Sequence, residues 1–170
     1  MHEPTGAVTH DRGSEPDVSD VLSAFQLLLL HNHRIANLIA DSWGIGPTDL
    51  RAIIFVAQSE QATPKSLADF LELTTGAVTS LVDRMEAAHY AERRSHPTDR
   101  RSVVLRLAPA GEAAMVRYRD FYSVALRDAL DPSEFESMAK SLRAIGDSLT
   151  REAEVRVQAA ARTAASEDRR

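Results

Sequence analysis

Four arginines, Arg93, Arg94, Arg100 and Arg101, stand within nine residues of one another beside Asp99, around the turn-forming stretch Ser95-His96-Pro97-Thr98. Guanidinium groups gathered on a short hairpin can bind phosphates, and one at its tip can enter the narrow, electronegative minor groove of DNA. An exposed charged loop without a ligand has the same composition. A second group lies just upstream. On a helix opening at Thr75, the residues Val78, Leu81, Val82 and Met85 fall at i, i+3, i+4 and i+7 and must face a core. That packing turns Gly76, Ser80 and Asp83 outward and leaves Thr79 and Arg84 on the flanks. A surface of glycine and hydroxyls (Thr75, Gly76, Thr79, Ser80) can press close to a major groove, where Thr and Ser meet base edges or a thymine methyl and Arg84 reaches phosphate. The competing reading is a solvated helix face, and the neighbouring arginines weigh against it. Lys65 and Ser66, at the start of a short preceding helix, are further candidates for phosphate contact.

Other chemistries find little support in the residues. Cysteine is absent, which removes disulfides, thiolate nucleophiles and sulfur-ligated zinc. His31 and His33 lie two apart on a helix, about 200° around its axis, so their rings cannot close on one ion without distant ligands. No metal or cofactor is expected. No nucleophile with a base and no carboxylate cluster stands at motif spacing, so the chain does not read as an enzyme. Trp43 fits a packing role, or a stacking face for an aromatic effector. Asn32 falls within an apolar stripe, as a satisfied core amide or one that fixes dimer register or meets a ligand.

The elements that must position the two groups follow from periodicity and caps. Residues 1–17 are rich in Pro, Gly, Ser and acids and read as a disordered tail. From Val18, the residues Val21, Leu22, Phe25, Leu28, Leu29, Ala36 and Ile39 form one helical stripe ended by Gly44-Ile45-Gly46. Pro47 opens a second helix carrying Leu50, Ile53, Ile54 and Val56. Thr63-Pro64 starts a two-turn helix to Leu71, and Thr74 caps the next one. Two short helices joined by so tight a turn make a helix-turn-helix, whose second member can enter the major groove. Residues 90–93 and 102–107 read as two strands of a hairpin wing, since Val103, Leu105 and Leu107 alternate. Pro109 starts a helix to Leu130. Asp131-Pro132-Ser133-Glu134 then restarts a last helix bearing Phe135, Met138, Leu142, Ile145 and Leu149, expected to fray beyond Val157.

Composition agrees with a DNA-binding part inside an acidic chain. The net charge of −5 over 170 residues is unevenly spread, with −4 in residues 1–20 and +3 in residues 90–107. No apolar run approaches the roughly 18 residues that a membrane span needs. The first residues lack the basic start and apolar middle of a secretory signal. A cytoplasmic location without membrane association is the expectation.

From Leu73 to Glu86 the chain resembles the recognition helix of the MarR family. From Asp99 to Gly111 it is similar to that family's wing signature, Asp-x-Arg leading into an apolar strand and the next helix, and Arg93 matches as well. The resemblance covers about residues 20–150. It implies a mainly α fold: a winged helix-turn-helix with a two-stranded β-hairpin wing, flanked by long N- and C-terminal dimerisation helices. In these terms residues 18–157 form a single MarR-type domain, with 47–108 reading DNA, 18–43 and 109–157 dimerising, and 158–170 a frayed tail. The apolar stripes of the terminal helices, too large for so small a unit to cover, also point to an isologous dimer on a two-fold related operator. Further implications are Arg101 inserted in the minor groove and oriented by Asp99, repression of transcription, and release by a small anionic or aromatic effector. The alternative is a winged-helix module for protein contacts, which would need fewer arginines at the hairpin. Two positions depart from the family pattern. His89 replaces the usual Gly at the end of the recognition helix, and Ala108 replaces the Thr that often precedes Pro109.

Overall fold

The computed structural model describes residues 17–95 and 102–167, so the tail expected over residues 1–17 lies outside it except for Asp17. Among the described residues, six α-helices and two paired strands follow in the order α1 (Val18–Trp43), α2 (Pro47–Gln58), α3 (Pro64–Leu71), α4 (Thr75–Ala87), β1 (Ala91–Ser95), β2 (Val103–Leu107), α5 (Pro109–Ala129) and α6 (Phe135–Glu167). Each junction has a local cause. Gly44 ends α1 at φ 69°, donating its N–H to the carbonyls of Ala40 and Asp41. The N–H of Gly46 finds the carboxylate of Asp49 at 3.0 Å as α2 begins. Thr63 and Ser66 cap reciprocally at the start of α3: the Ser66 amide donates to the Thr63 hydroxyl at 3.0 Å and the Thr63 amide to the Ser66 hydroxyl at 2.9 Å. The expected cap on α4 forms too, with Thr74 Oγ1 accepting from the Ala77 amide at 3.3 Å.

The chain divides into two compact units, Met1–Met115 and Val116–Arg170. In the first, Leu50 and Ile53 of α2, Leu67 of α3, Val78, Leu81, Val82 and Met85 of α4 and Leu105 of β2 are almost wholly buried. All but Leu67 are apolar positions that the periodicity picks out, whereas Ile54 and Leu107 are only partly buried and Val103 is exposed. The strands pair antiparallel with Ala91 opposite Leu107, Arg93 opposite Leu105 and Ser95 opposite Val103. Their bounds differ slightly from expectation: β1 begins after Tyr90, whose amide is taken by the carbonyl of Met85, and runs on to Ser95. The Leu105 amide donates to the carbonyl of Ala62 at 2.7 Å, which pins β2 to the segment entering α3.

His89 occupies the left-handed region at φ 58°, as glycine would, so the departure from the family pattern is accommodated. Its carbonyl accepts from the Ala110 amide, and that of Tyr90 from Ala108. At Gly111 the two segments come so close that a Cβ would lie 2.0 Å from the Tyr90 carbonyl oxygen.

In the second unit, the rest of α5 turns through a 3₁₀ segment, Pro132–Glu134, into α6. Asp131 caps that turn, accepting from the Ser133 amide at 2.9 Å, while Glu134 accepts from the Asp131 amide at 2.8 Å. The last helix does not end near Val157 but continues to Glu167. Alanine has the highest helix propensity of any residue, and the alanine-rich stretch prolongs the helix where fraying was expected.

Candidate nucleic-acid interface

Thr75, Gly76, Thr79, Ser80, Asp83 and Arg84 are all exposed on α4, opposite its buried stripe. Thr79 donates its hydroxyl to the Thr75 carbonyl at 2.9 Å and Ser80 to the Gly76 carbonyl at 3.2 Å. With their protons held inward, both oxygens turn lone pairs outward, which suits amino groups on cytosine or adenine. No contact among the described residues requires glycine at position 76, because a Cβ there would meet nothing beyond its own helix backbone within 4 Å. The low surface it leaves admits another molecule close to the helix backbone.

An open cleft of about 940 Å³ runs beside this surface, lined among others by Lys65, Asp69, Thr75, Thr79, Ser102 and Val103. It brings the start of α3, the start of α4 and the root of β2 to one place. Lys65 is exposed there, whereas Ser66 is partly buried and its hydroxyl is engaged in the cap with Thr63. Asp69 and Ser102 enter the cleft without a signal in the sequence, since only the packing of α3 against α4 and β2 places them.

Three of the candidate arginines have acidic partners. Arg84 reaches back to α2, its Nη2 lying 2.8 Å from Asp49 Oδ1, and the Asp49 side chain is only 13% exposed. Arg93, on β1, pairs with two residues of α4: Asp83, at 2.8 Å, and Glu86. Glu86 also accepts the backbone amide of Arg93 at 2.8 Å. Burial would lower the pKa of Arg93, but hydrogen bonding to Asp83 and the charge of Glu86 outweigh it and hold the guanidinium above its ordinary value. Arg94 pairs with Glu92 at 2.7 Å on a well-exposed edge of the same strand. Asp99, Arg100 and Arg101 lie outside the described residues. Away from this interface, Asn32 is exposed in the single chain rather than buried, and no His, Cys, Asp and Glu group among the described residues could hold a metal ion.

The sequence profile of the MarR family matches residues 43–102, the segment from the end of α1 to the root of β2. Residues 43–102 are thus similar to the MarR family. The chain is 41% identical over 66 residues to a Bacillus subtilis (strain 168) protein described as an uncharacterized HTH-type transcriptional regulator, YcgE, covering 39% of this chain and 43% of that protein. It is 29% identical over 80 residues to the multiple antibiotic resistance protein MarR of Salmonella typhimurium, covering 47% and 56%. The chain thus matches about half the length of these curated relatives. The fold likeness extends further: Streptococcus pneumoniae FabT, solved in complex with DNA, superposes with a TM-score of 0.59 at 21% identity, covering 79% of this chain and 98% of that one. The MarR-type winged helix and its flanking helices therefore match in architecture as the motifs implied.

Proposed function

We propose that the chain is a MarR-type transcription regulator that binds double-stranded DNA as a homodimer, represses, and is released by a small anionic or aromatic effector. The observation that carries this reading is the bare, hydroxyl-lined face of α4 opening onto one cleft with Lys65, beside an arginine-rich hairpin. On it, Thr75, Gly76, Thr79 and Ser80 face base edges in the major groove. Lys65 and Arg94 meet phosphates. The surface pair of Arg94 with Glu92 is no obstacle, because exposed pairs are weak and readily exchanged for a phosphate. Arg101, oriented by Asp99 and flanked by Arg100, enters the minor groove.

In this reading residues 18–43 and 109–157 dimerise and the protein works in the cytoplasm. No helix among the described residues is long and apolar enough to cross a membrane. The test is a gel shift with duplex DNA flanking the protein's own gene, against random duplex of equal length. Retention of the flanking duplex at concentrations that leave random DNA free supports the reading. Equal or no retention overturns it.

A further inference from the structure

Two arginines that the sequence offers as DNA contacts are tied into the protein instead. Asp83, Arg84 and Glu86 lie toward the C-terminal end of α4 and pair with side chains on other elements. Arg84 reaches Asp49 on α2, whose second oxygen already holds the Gly46 amide. Asp83 and Glu86 together grip Arg93 on β1. Arg93 is surrounded by two carboxylates for one positive charge, and its side chain is only 31% exposed. A phosphate approaching it would have to displace these partners and come close to the carboxylates. The same contacts have a geometric consequence. The end of α4 is fixed on one side to the start of α2 and on the other to the first strand of the wing, so the separation between reading helix and wing is set before any ligand arrives.

We infer that Arg84 and Arg93 are positioning residues, forming with Asp49, Asp83 and Glu86 an ion-pair brace that holds the recognition helix and the wing root in register. They contribute to DNA binding by preorganisation and touch no phosphate. This rests on the DNA-binding reading above and narrows its set of contacts to Lys65, Arg94 and the residues of the α4 face and wing tip.

Charge deletion separates the two roles. A phosphate-bound arginine contributes about 0.9 to the slope of log affinity against log salt, and its loss makes that slope shallower by as much. An acid beside DNA repels it, so removing Asp83 and Glu86 tightens binding on charge alone. The brace requires the opposite. Binding of own-gene and random duplexes is measured across a salt series for the full chain and for Arg93→Ala, Arg93→Lys, Arg84→Ala and the double variant Asp83→Asn with Glu86→Gln, with thermal melts to confirm folding.

The expected result is that all four variants bind the own-gene duplex about tenfold more weakly with an unchanged salt slope, an effect of the size that misplacement of a preorganised site produces. Arg93→Lys fails with the rest because an ammonium cannot span two carboxylates as the planar guanidinium does. The double acid variant keeps every arginine, so it remains informative if Arg93→Ala does not fold. Tighter binding by the acid variant, or a slope shallower by about one ion in Arg93→Ala or Arg84→Ala, overturns the brace. If the unmutated protein itself shows no preference for its own flanking DNA, the DNA-binding reading falls, and the brace with it. Normal binding by the unmutated protein with tighter binding by the acid variant removes the brace alone.

Discussion

At the scale of single residues, Gly76 separates the needs of the chain from those of its ligand. Alanine at this position meets no described atom beyond its own helix backbone within 4 Å, and it should stabilise the exposed helix by up to about 1 kcal/mol. If α4 lies against base edges, the same methyl group stands between helix and groove. Gly76→Ala should therefore raise the melting temperature slightly while lowering affinity for the own-gene duplex, and a variant that gains stability and binds unchanged would show that the face is simply solvated. The wing allows a comparable separation. Arg101→Ala should cost about 1–3 kcal/mol on the own-gene duplex and less on random DNA, because a minor-groove arginine reads groove width as well as charge. Asp99→Ala removes an acid, so reduced affinity on its part means that orientation of Arg101 outweighs repulsion. Competition binding with both duplexes, followed by fluorescence anisotropy, measures all three.

At the scale of elements, the joint between α4, the hairpin and α5 is where the backbone has least freedom. His89 sits at φ 58°, a region that costs a residue with a Cβ roughly 1 kcal/mol, and glycine relieves it. His89→Gly should raise the urea midpoint modestly and leave the unfolding slope unchanged. Gly111→Ala should do the reverse: its Cβ would sit 2.0 Å from the Tyr90 carbonyl oxygen, and backbone on both sides must move. A loss of about 3 kcal/mol or more is expected, and a melt within a degree or two of the unmutated protein would mean that the joint yields to a methyl group at little cost. The contrast between these neighbours also shows what the sequence reveals. Caps such as Thr63 with Ser66 or Asp131 with Glu134 close within three residues, and the buried stripe of α4 repeats within eight, so both were readable from local spacing. The partner of Arg84 stands 35 residues away and is set by how α2 packs on α4, which no pattern along the chain records. The same holds for Asp69 and Ser102 in the cleft. The length of α6 escapes the sequence pattern for a different reason: an alanine-rich, charged segment is weakly amphipathic, and its helical propensity outweighs its missing apolar stripe.

At the scale of the whole molecule, the unburied apolar residues demand an explanation. In the first unit α1 exposes Val18, Val21, Leu22 and the run Leu27 to Leu30; in the second, α5 and α6 expose Phe121, Val124, Leu126, Met138, Leu142 and Leu149. Scattered apolar residues are ordinary on a surface, but contiguous stripes at helical spacing mark an interface. A second copy of the chain is the occupant proposed here, and substitution tests it cleanly because the positions are already solvent-facing in one chain. Leu28, 56% exposed, and Leu142, 47% exposed, contribute little to the core of a lone protomer. If the protein were monomeric, Leu28→Asp and Leu142→Asp would be nearly neutral. Within a dimer each places a charge at an apolar contact on both copies, since an isologous interface repeats every residue. Sedimentation should then show the unmutated protein as a dimer and the doubly substituted chain as a monomer. The helical circular dichroism of the winged-helix part should survive. Affinity for a two-fold related duplex should fall by a factor on the order of 100 or more, because the second half-site loses its tethered partner. A doubly substituted chain that stays dimeric would place the interface elsewhere, and one that becomes monomeric yet binds the own-gene duplex undiminished would show that a single winged helix suffices for recognition.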